Sequence, residues 1–432
     1  MNPLVMDTLY AGALLTGSPW FLYRMATTDK YRAGLLERLG LLEGRRKDRC
    51  LWVHGVSVGE ILAAKGIVSA LDAAYPNVET VLSTTTNTAQ EVARAHYPGR
   101  FIFYFPLDFS WAVASAFRKV RPLAVMLMEM EVWPNFLHRA RSEGVAVIVA
   151  NGRITDRAFQ RYRRLGSLAR RMLSKVDMYL VQNETYAERL RLLGVPANRV
   201  RVTGSVKFDT LPIGSAPALR RRLRKEMGVA DDEILIIGGS THEGEEKALL
   251  DAWRQMGRSG RRVRLLIAPR HKGRFRAVAA LIEAEGAPVL ARSAMAQPAP
   301  AGGAQVLLAD TLGELADLYE AADVAFVGGS LIPHGGQNIL EPAARGLPVV
   351  FGPSMENFPE ARDMLVGASA ATCISTESEL ADALSAYMDT DAARRAGQAA
   401  RAALEKARGA SAATVEAVRE ILKQYESQRR AG

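Results

Sequence analysis

Residues 51–60, LWVHGVSVGE, decide the fold. A short apolar run, Leu51 to Val53, stops at a turn bracketed by Gly55 and Gly59 and gives way to a helical-period segment with Glu60 in its first turn. A strand, a glycine turn and a helix in that order open a parallel sheet. They bring the side chains of the turn to the carboxyl edge of the sheet, where open α/β folds bind ligands. Working outward, the alternation repeats. Residues 80–82, 101–104, 123–127, 145–149 and 178–181 read as further strands with helices between them. The pattern pauses at 209–217, where Pro212, Gly214 and Pro217 interrupt it. A second series then runs through 234–237, 263–267, 288–290, 306–308, 324–327 and 349–351. Alternation of this kind specifies sheets covered by helices on both faces. The expected fold class is α/β, with two doubly wound lobes of similar size joined near residue 212 and facing a central cleft. Residues 296–303 (AQPAPAGG) read as a loop, and residues 391–425 as one Ala-rich helical stretch.

Composition agrees. A chain of 432 residues with 48% hydrophobic content is too long for one ordinary core and fits two domains. Cys50 and Cys373 stand in separate halves, so neither a disulfide framework nor a zinc site is expected, and no metal or cofactor is called for. The formal charge of +10 requires an anionic partner. The excess is concentrated: residues 153–225 hold 18 Lys or Arg against 5 Asp or Glu. At the amino end, residues 8–23 form an uncharged apolar run that is short for a span of about 20 residues. It contains Gly12, Gly17 and Pro19, which favours a segment lying in the membrane interface over one crossing it. Its basic flank (Arg24, Lys30, Arg32) follows the run, the wrong order for a cleaved signal peptide. By the positive-inside rule the rest of the chain is cytoplasmic. A helix simply packed on the first domain is the plainer alternative.

Several segments could carry chemistry. Glu60 sits where an acidic residue ordinarily complements the helix dipole. Two glycines beside it are unexplained unless something approaches the backbone closely. In MEMEVWPN (128–135), Glu129 and Glu131 emerge together at the end of the fourth strand, where paired carboxylates can share acid and base work or simply cap and pair with neighbours. Asn151-Gly152-Arg153 follows the fifth strand and leads into a helix bearing Arg157, Arg161, Arg164 and Arg171, a surface suited to an anion. In the second half, GGSTHEGEE (238–246) offers Ser240 or Thr241 as a helix cap with acidic residues in the first turn. IAPRH (267–271) ends a strand with Arg270 and His271. In residues 327–353, two glycine pairs precede Asn338 to Glu341, read as the start of a helix whose free N–H groups face a phosphate.

HGVSVGE, MEMEVWPN, NGR, GSVKFD (204–209), STHEGEE, APRH, GGSLIPHGGQNILEP and FGPSMENF occur in this order. Along nearly its whole length the chain therefore resembles the 3-deoxy-D-manno-oct-2-ulosonic acid (Kdo) transferases. The resemblance implies a GT-B fold and an inverting, metal-independent transfer of Kdo from CMP-Kdo to a hydroxyl of the lipid A precursor (lipid IVA). It also implies attachment to an anionic membrane surface, at the cytoplasmic face of the inner membrane. The domains expected are an interfacial segment (1–30), an acceptor-binding domain (31–211), a CMP-Kdo-binding domain (212–410) and a terminal helix (411–432) that could pack back on the first domain. Glu60 matches the family's general base. Arg270, Asn338 and Glu341 match positions that hold CMP, and Ser240, His271, Ser330 and Gly336 fall in the same donor motifs. Glu129, Glu131, Lys207, Arg153 and Arg157 match segments expected to meet or support the acceptor. Ser205 and Gln337 depart from the family's usual Asn and His, which bears on hydrogen bonding in the donor pocket. Another GT-B enzyme, an epimerase or a transferase with a UDP donor, is the nearest rival reading. A nucleic-acid-binding module would account for the charge, yet the sequence has no recognition-helix, zinc or aromatic stacking signature.

Overall fold

The computed structural model describes residues 3–12, 33–43, 49–258, 260–295 and 306–431. The chain divides into two compact units, residues 1–210 with 407–432, and residues 211–406. In the first unit the apolar runs become β1 (Cys50–Gly55), β2 (Glu79–Thr84), β3 (Ile102–Tyr104), β4 (Pro122–Met128), β5 (Ala146–Gly152), β6 (Met178–Val181) and β7 (Val200–Val202). All pair in parallel, in the order β3-β2-β1-β4-β5-β6-β7. The second unit holds β8 (Ile234–Thr241), β9 (Val263–Pro269), β10 (Val289–Ala291), β11 (Val306–Leu308), β12 (Val324–Val327), β13 (Val349–Phe351) and β14 (Ala371–Cys373), ordered β10-β11-β9-β8-β12-β13-β14. The fold class is thus α/β, with two doubly wound parallel sheets.

Strand order places the motifs. In each sheet the winding reverses once, between β1 and β4 in the first and between β8 and β12 in the second. At such a switch point the loops after the two strands part and leave a crevice at the carboxyl edge. HGVSVGE and MEMEVWPN flank the first reversal; STHEGEE and the Gly328-Gly329-Ser330 turn flank the second. Two strands, β7 and β14, are absent from the sequence reading. Each has three residues at a sheet edge with at least one exposed, too little burial to imprint an apolar pattern.

Every residue of β1 and β5 is buried, as a sheet covered on both faces demands. Trp52 packs on one face among Phe103, Phe117 and Phe136, with ring centroids 5.2, 5.6 and 5.2 Å away. Leu51 and Val53 point the other way, onto Ile61, Ala64, Ile67 and Leu71 of helix Val58–Ala74. The Ala-rich helical stretch at 391–425 is made of two helices, Thr390–Lys406 and Ala410–Ala431. Gly409, at φ 109°, breaks it. Asp209 accepts hydrogen bonds from the backbone N–H of Gly409 (2.7 Å) and Ser411 (2.5 Å), and so starts the second helix. That helix buries Ala410, Val415, Ala417, Val418 and Ile421 in the core of the first unit.

Of the apolar run 8–23 only residues 8–12 are described, within a helix over 3–12; the remainder, and the loop expected at 296–303, lie outside the described residues. Among the described residues no helix is long and apolar enough to cross a membrane. The helix over 3–12 is held by polar groups. Asp7 accepts from the Ser110 N–H and from Asn135 Nδ2, both at 2.9 Å, and the Tyr10 hydroxyl donates to Asp108 at 2.9 Å. Its apolar residues face outward: Leu4, Val5 and Leu9 are 70%, 53% and 62% exposed.

Burial pushes the Asp108 carboxyl up to about 6, against the lowering effect of hydrogen bonds from the Asn135 and Phe136 N–H groups and Tyr10. Between its ordinary range and that value the folded state binds a proton the unfolded chain has released. Asp108 therefore contributes stability at low pH that is lost as pH rises through about 6. In urea titrations at about pH 4 and pH 7, wild type is expected to lose stability relative to Asp108→Asn as pH rises; a constant difference would show that Asp108 ionises alike in both states.

Candidate functional site

The site of the first unit is built at the carboxyl ends of β1, β4 and β5. Ser57 caps helix Val58–Ala74, and Glu60 closes a capping box with it. Glu60 Oε2 accepts from the Val56 N–H at 2.9 Å, and Oε1 from the Ser57 hydroxyl at 2.8 Å and the Ser57 N–H at 3.3 Å. These bonds fix the carboxylate in one place while the residue stays partly exposed. The tight turn has a local reason as well. A Cβ on Gly55 would lie 3.2 Å from Glu60 Cβ and 3.1 Å from Ile61 Cδ1, so that glycine admits the start of the helix.

Beyond β4 the chain turns through Glu129, at φ 56°, a left-handed conformation that non-glycine residues seldom adopt. Its N–H donates to the Ala150 carbonyl at 2.9 Å. Asn151, at φ 55°, does the same at the end of β5, and its Oδ1 accepts from the Val206 N–H at 3.2 Å, tying GSVKFD to this edge. Burial raises the Glu129 carboxyl above its ordinary range and neighbouring Glu60 raises it further; Arg153 and Lys207 pull it back down. Glu131 is raised by the same causes, burial first, then Glu60; a hydrogen bond from Trp133 Nε1 at 3.1 Å lowers it, and Glu129 adds to the rise. Glu60, Glu129, Glu131, Arg153 and Lys207 are therefore one electrostatic group. Strained backbone at two strand ends aims it, as is usual where geometry must be held for function.

Arg157 does not join them. It is exposed on helix Asp156–Leu165 and does not contribute to the shift of either carboxylate. The arginine-rich helix of the sequence reading is interrupted at Gly166, so Arg157, Arg161 and Arg164 share one helix while Arg171 stands on the next, Ser167–Leu173. All four are exposed. Asp156, the one acid of the first helix, is paired with Arg189.

In the second unit, Arg270, Asn338 and Glu341 come together. Asn338 Nδ2 donates to Glu341 Oε1 at 2.9 Å. Burial raises the Glu341 carboxyl, and the Asn338 bond and Arg270 lower it. Arg270 and His271 are exposed just past β9. Several expectations change here. The helix begins at Leu340, not Asn338, and is six residues long; its N-cap is Ile339, and Asn338 accepts from the Leu340 N–H at 3.1 Å just ahead of it. Helix Glu245–Gly257 is capped by Gly244, and neither Ser240 nor Thr241 serves, because β8 runs through Thr241. Ser240 instead takes φ 54° at a register shift between β8 and β9. Ser330 is fully buried. Its hydroxyl donates to the Val327 carbonyl at 2.6 Å and accepts from the Gly352 N–H at 2.9 Å, so it shapes the loop from behind. Gly336 is buried too: a Cβ there would sit 2.3 Å from Met355 Sδ. Gly328, Gly335 and Gly336 are required by packing within the protein. Gly328 shows this most directly, since its Cβ would lie 2.6 Å from the Ser240 carbonyl.

Spacing gave no warning of what organises this loop. Glu245, 1% exposed, accepts four backbone hydrogen bonds. They come from His242 (2.9 Å), Gly329 (2.7 Å), Ser330 (3.0 Å) and Leu331 (3.0 Å). Glu246, fully buried, accepts from the Thr241 hydroxyl at 2.9 Å and is paired with Arg274. Both read from sequence only as acidic residues of a first helical turn. Their local signal was an acidic pair after glycine; Gly329, Ser330, Leu331 and Arg274 lie elsewhere in the chain.

The model of the 3-deoxy-D-manno-octulosonic-acid transferase (kdotransferase) family matches residues 33–210. A 3-deoxy-D-manno-octulosonic acid transferase of Bordetella pertussis is 33% identical over 431 residues, covering 98% of this chain and 97% of that protein. One from Haemophilus influenzae is 32% identical over 404 residues, 92% of each. Among solved structures, a glycosyltransferase from Rickettsia africae ESF-5 covers 88% of this chain and all of its own at a TM-score of 0.58 and 13% identity, a likeness of fold.

Proposed function

The chain belongs to the 3-deoxy-D-manno-octulosonic-acid transferase family, and from that premise we propose that it transfers Kdo from CMP-Kdo to a hydroxyl of the lipid A precursor, with inversion and without a metal. Such an activity is glycosyl transfer in lipopolysaccharide biosynthesis. Glu60 takes the proton of the acceptor hydroxyl as it attacks, because a sugar hydroxyl is a poor nucleophile at neutral pH and a positioned carboxylate accelerates such a step about 10²–10⁴-fold. The observation that carries this reading is the orientation of the Glu60 carboxylate by three hydrogen bonds beside Glu129 and Glu131. Arg153 and Lys207 supply positive charge to that group. They would meet the phosphorylated acceptor, with Arg157 and the exposed arginines after it as an outer approach.

The donor end calls for positive potential where CMP leaves as an anion, which is usually the largest catalytic contribution. Arg270 provides it, with Asn338 and Glu341 placed to hold the nucleotide. The outward apolar side of the helix over 3–12 supports attachment to an anionic membrane surface, on the cytoplasmic face of the inner membrane.

Purified protein, freshly generated CMP-Kdo and a tetraacylated lipid A precursor, followed by product mass and CMP release, test the reaction. Addition of one or more Kdo units is expected. No transfer with CMP still bound would exclude this acceptor. Arg270→Ala is expected to raise the KM for donor by about 10- to 100-fold, as loss of a charge-assisted hydrogen bond does; an unchanged KM would remove Arg270 from the donor site.

A further inference from the structure

Close to the donor residues lies a cluster that the reaction above leaves without a role. The His242 ring meets His271 edge-on at a centroid distance of 5.5 Å and His334 at 4.5 Å. Gln337 Nε2 lies 3.2 Å from His242 Nε2. Gly329 makes room for the ring, since a Cβ there would stand 3.3 Å from His242 Cδ2. The three imidazoles come from three separate loops, those after β8, β9 and β12, so no local rule of helix or turn accounts for their meeting.

Cationic and imidazole groups face His242 from two other segments. Arg270 and Arg274 approach from the segment after β9 with His271, and His334 from the loop after β12. Two carboxylates of its own loop are near, and both are engaged: Glu245 by four backbone N–H groups, Glu246 by Arg274 and Thr241. Among the described residues no group of His, Cys, Asp or Glu is arranged to hold a metal ion. In the free protein, burial first and then the adjoining His334, His271, Arg274 and Arg270 push the His242 imidazole down to about 4, so it is neutral. An anion seated among these groups would reverse the second cause.

Resting on the donor reading above, we propose that His242, His271 and His334 form a proton-accepting anion subsite, which takes up one proton as the phosphate of the donor seats against it. Because the rings are mutually coupled, the proton belongs to the cluster rather than to one ring. Gln337 suits both states. Its amide N–H₂ donates to the bare Nε2 of neutral His242, and after protonation a turn of the amide presents the carbonyl oxygen to the new N–H. The imidazolium so formed adds positive charge beside Arg270 where the leaving group becomes more anionic. Donor affinity accordingly strengthens as pH falls toward the ordinary histidine range.

Calorimetric titration with CMP tests this, run at about pH 7.5, where its phosphate is already doubly ionised. Two buffers of different ionisation enthalpy give the number of protons exchanged. Wild type is expected to take up about one proton per CMP bound, and His242→Gln close to none while still binding CMP more weakly. The exposed His334→Gln is expected to lower the uptake partway, and it serves if His242→Gln does not fold. CMP binding by wild type with no proton uptake, or uptake unaltered in the variants, overturns the subsite and leaves the donor reading intact. Failure of folded wild type to bind CMP overturns both.

Discussion

Replacing Glu60 by glutamine is expected to slow Kdo transfer by about 10²–10⁴-fold while CMP affinity stays near that of wild type. The carboxylate has two duties in this structure, and the size of each tells them apart. As the acceptor of the capping box it contributes about 1 kcal/mol of stability. As the base its removal would raise the barrier by roughly 3–5 kcal/mol. Ser57→Ala separates the duties, because it removes the hydroxyl that caps the helix and binds Glu60 Oε1 while the carboxylate remains. Thermal unfolding and single-turnover transfer on the three proteins decide the matter. Ser57→Ala should melt slightly earlier and keep most of its rate, and Glu60→Gln should keep its fold and lose its rate. A Glu60→Gln protein transferring at the wild-type rate would reduce Glu60 to a capping residue.

Removing the Glu245 carboxylate is expected to be the most damaging single change in the second unit. Glu245→Ala strands four backbone N–H groups in a site that is 1% exposed. Each unsatisfied buried donor costs about 1–3 kcal/mol. Relaxation of the loop and entry of water recover part of this, so a loss of roughly 2–5 kcal/mol is expected in urea unfolding, within the upper range for single substitutions. Glu245→Gln is expected to fall between, since its amide oxygen can still accept while its NH₂ confronts two donors. CMP binding should weaken in both, because the turn 328–331 carries the loop on which His334, Gln337 and Asn338 stand. Wild-type stability in Glu245→Ala would mean that water replaces the carboxylate without loss.

How much of this was legible in the sequence depended on how local the cause was. β1, β4 and β8 were readable because a strand buried on both faces must be a continuous apolar run. In MEMEVWPN, Pro134 stands in the first turn of helix Pro134–Ser142, a position that proline fits. Glu60 was readable both as a capping residue and, through the ordered motifs, as a base. β7 and β14 were not, since three residues at a sheet edge bury too little. The break at Gly166 was missed because arginine spacing on either side still fits one helical face. The work of Glu245 was invisible: its partner Ser330 is 85 positions away, and a glutamate at a helix start looks the same whether it meets solvent or four amides. The histidine cluster was hidden likewise, its members lying in motifs noted for other residues.

The helix Ala410–Ala431 completes the first unit from the far end of the chain. Residues 211–406, an entire second sheet, emerge from the ribosome between the two parts of that unit. Until the last residues arrive, the face of helix Val58–Ala74 and of β4 and β5 that Val415, Val418 and Ile421 cover is open, an apolar surface of the kind that draws nascent chains into aggregation. The second sheet is contiguous in sequence and can form first. The unit synthesised earliest is therefore the last to be finished, and a frameshift or stop codon between residues 406 and 415 would uncover a core laid down near residue 60.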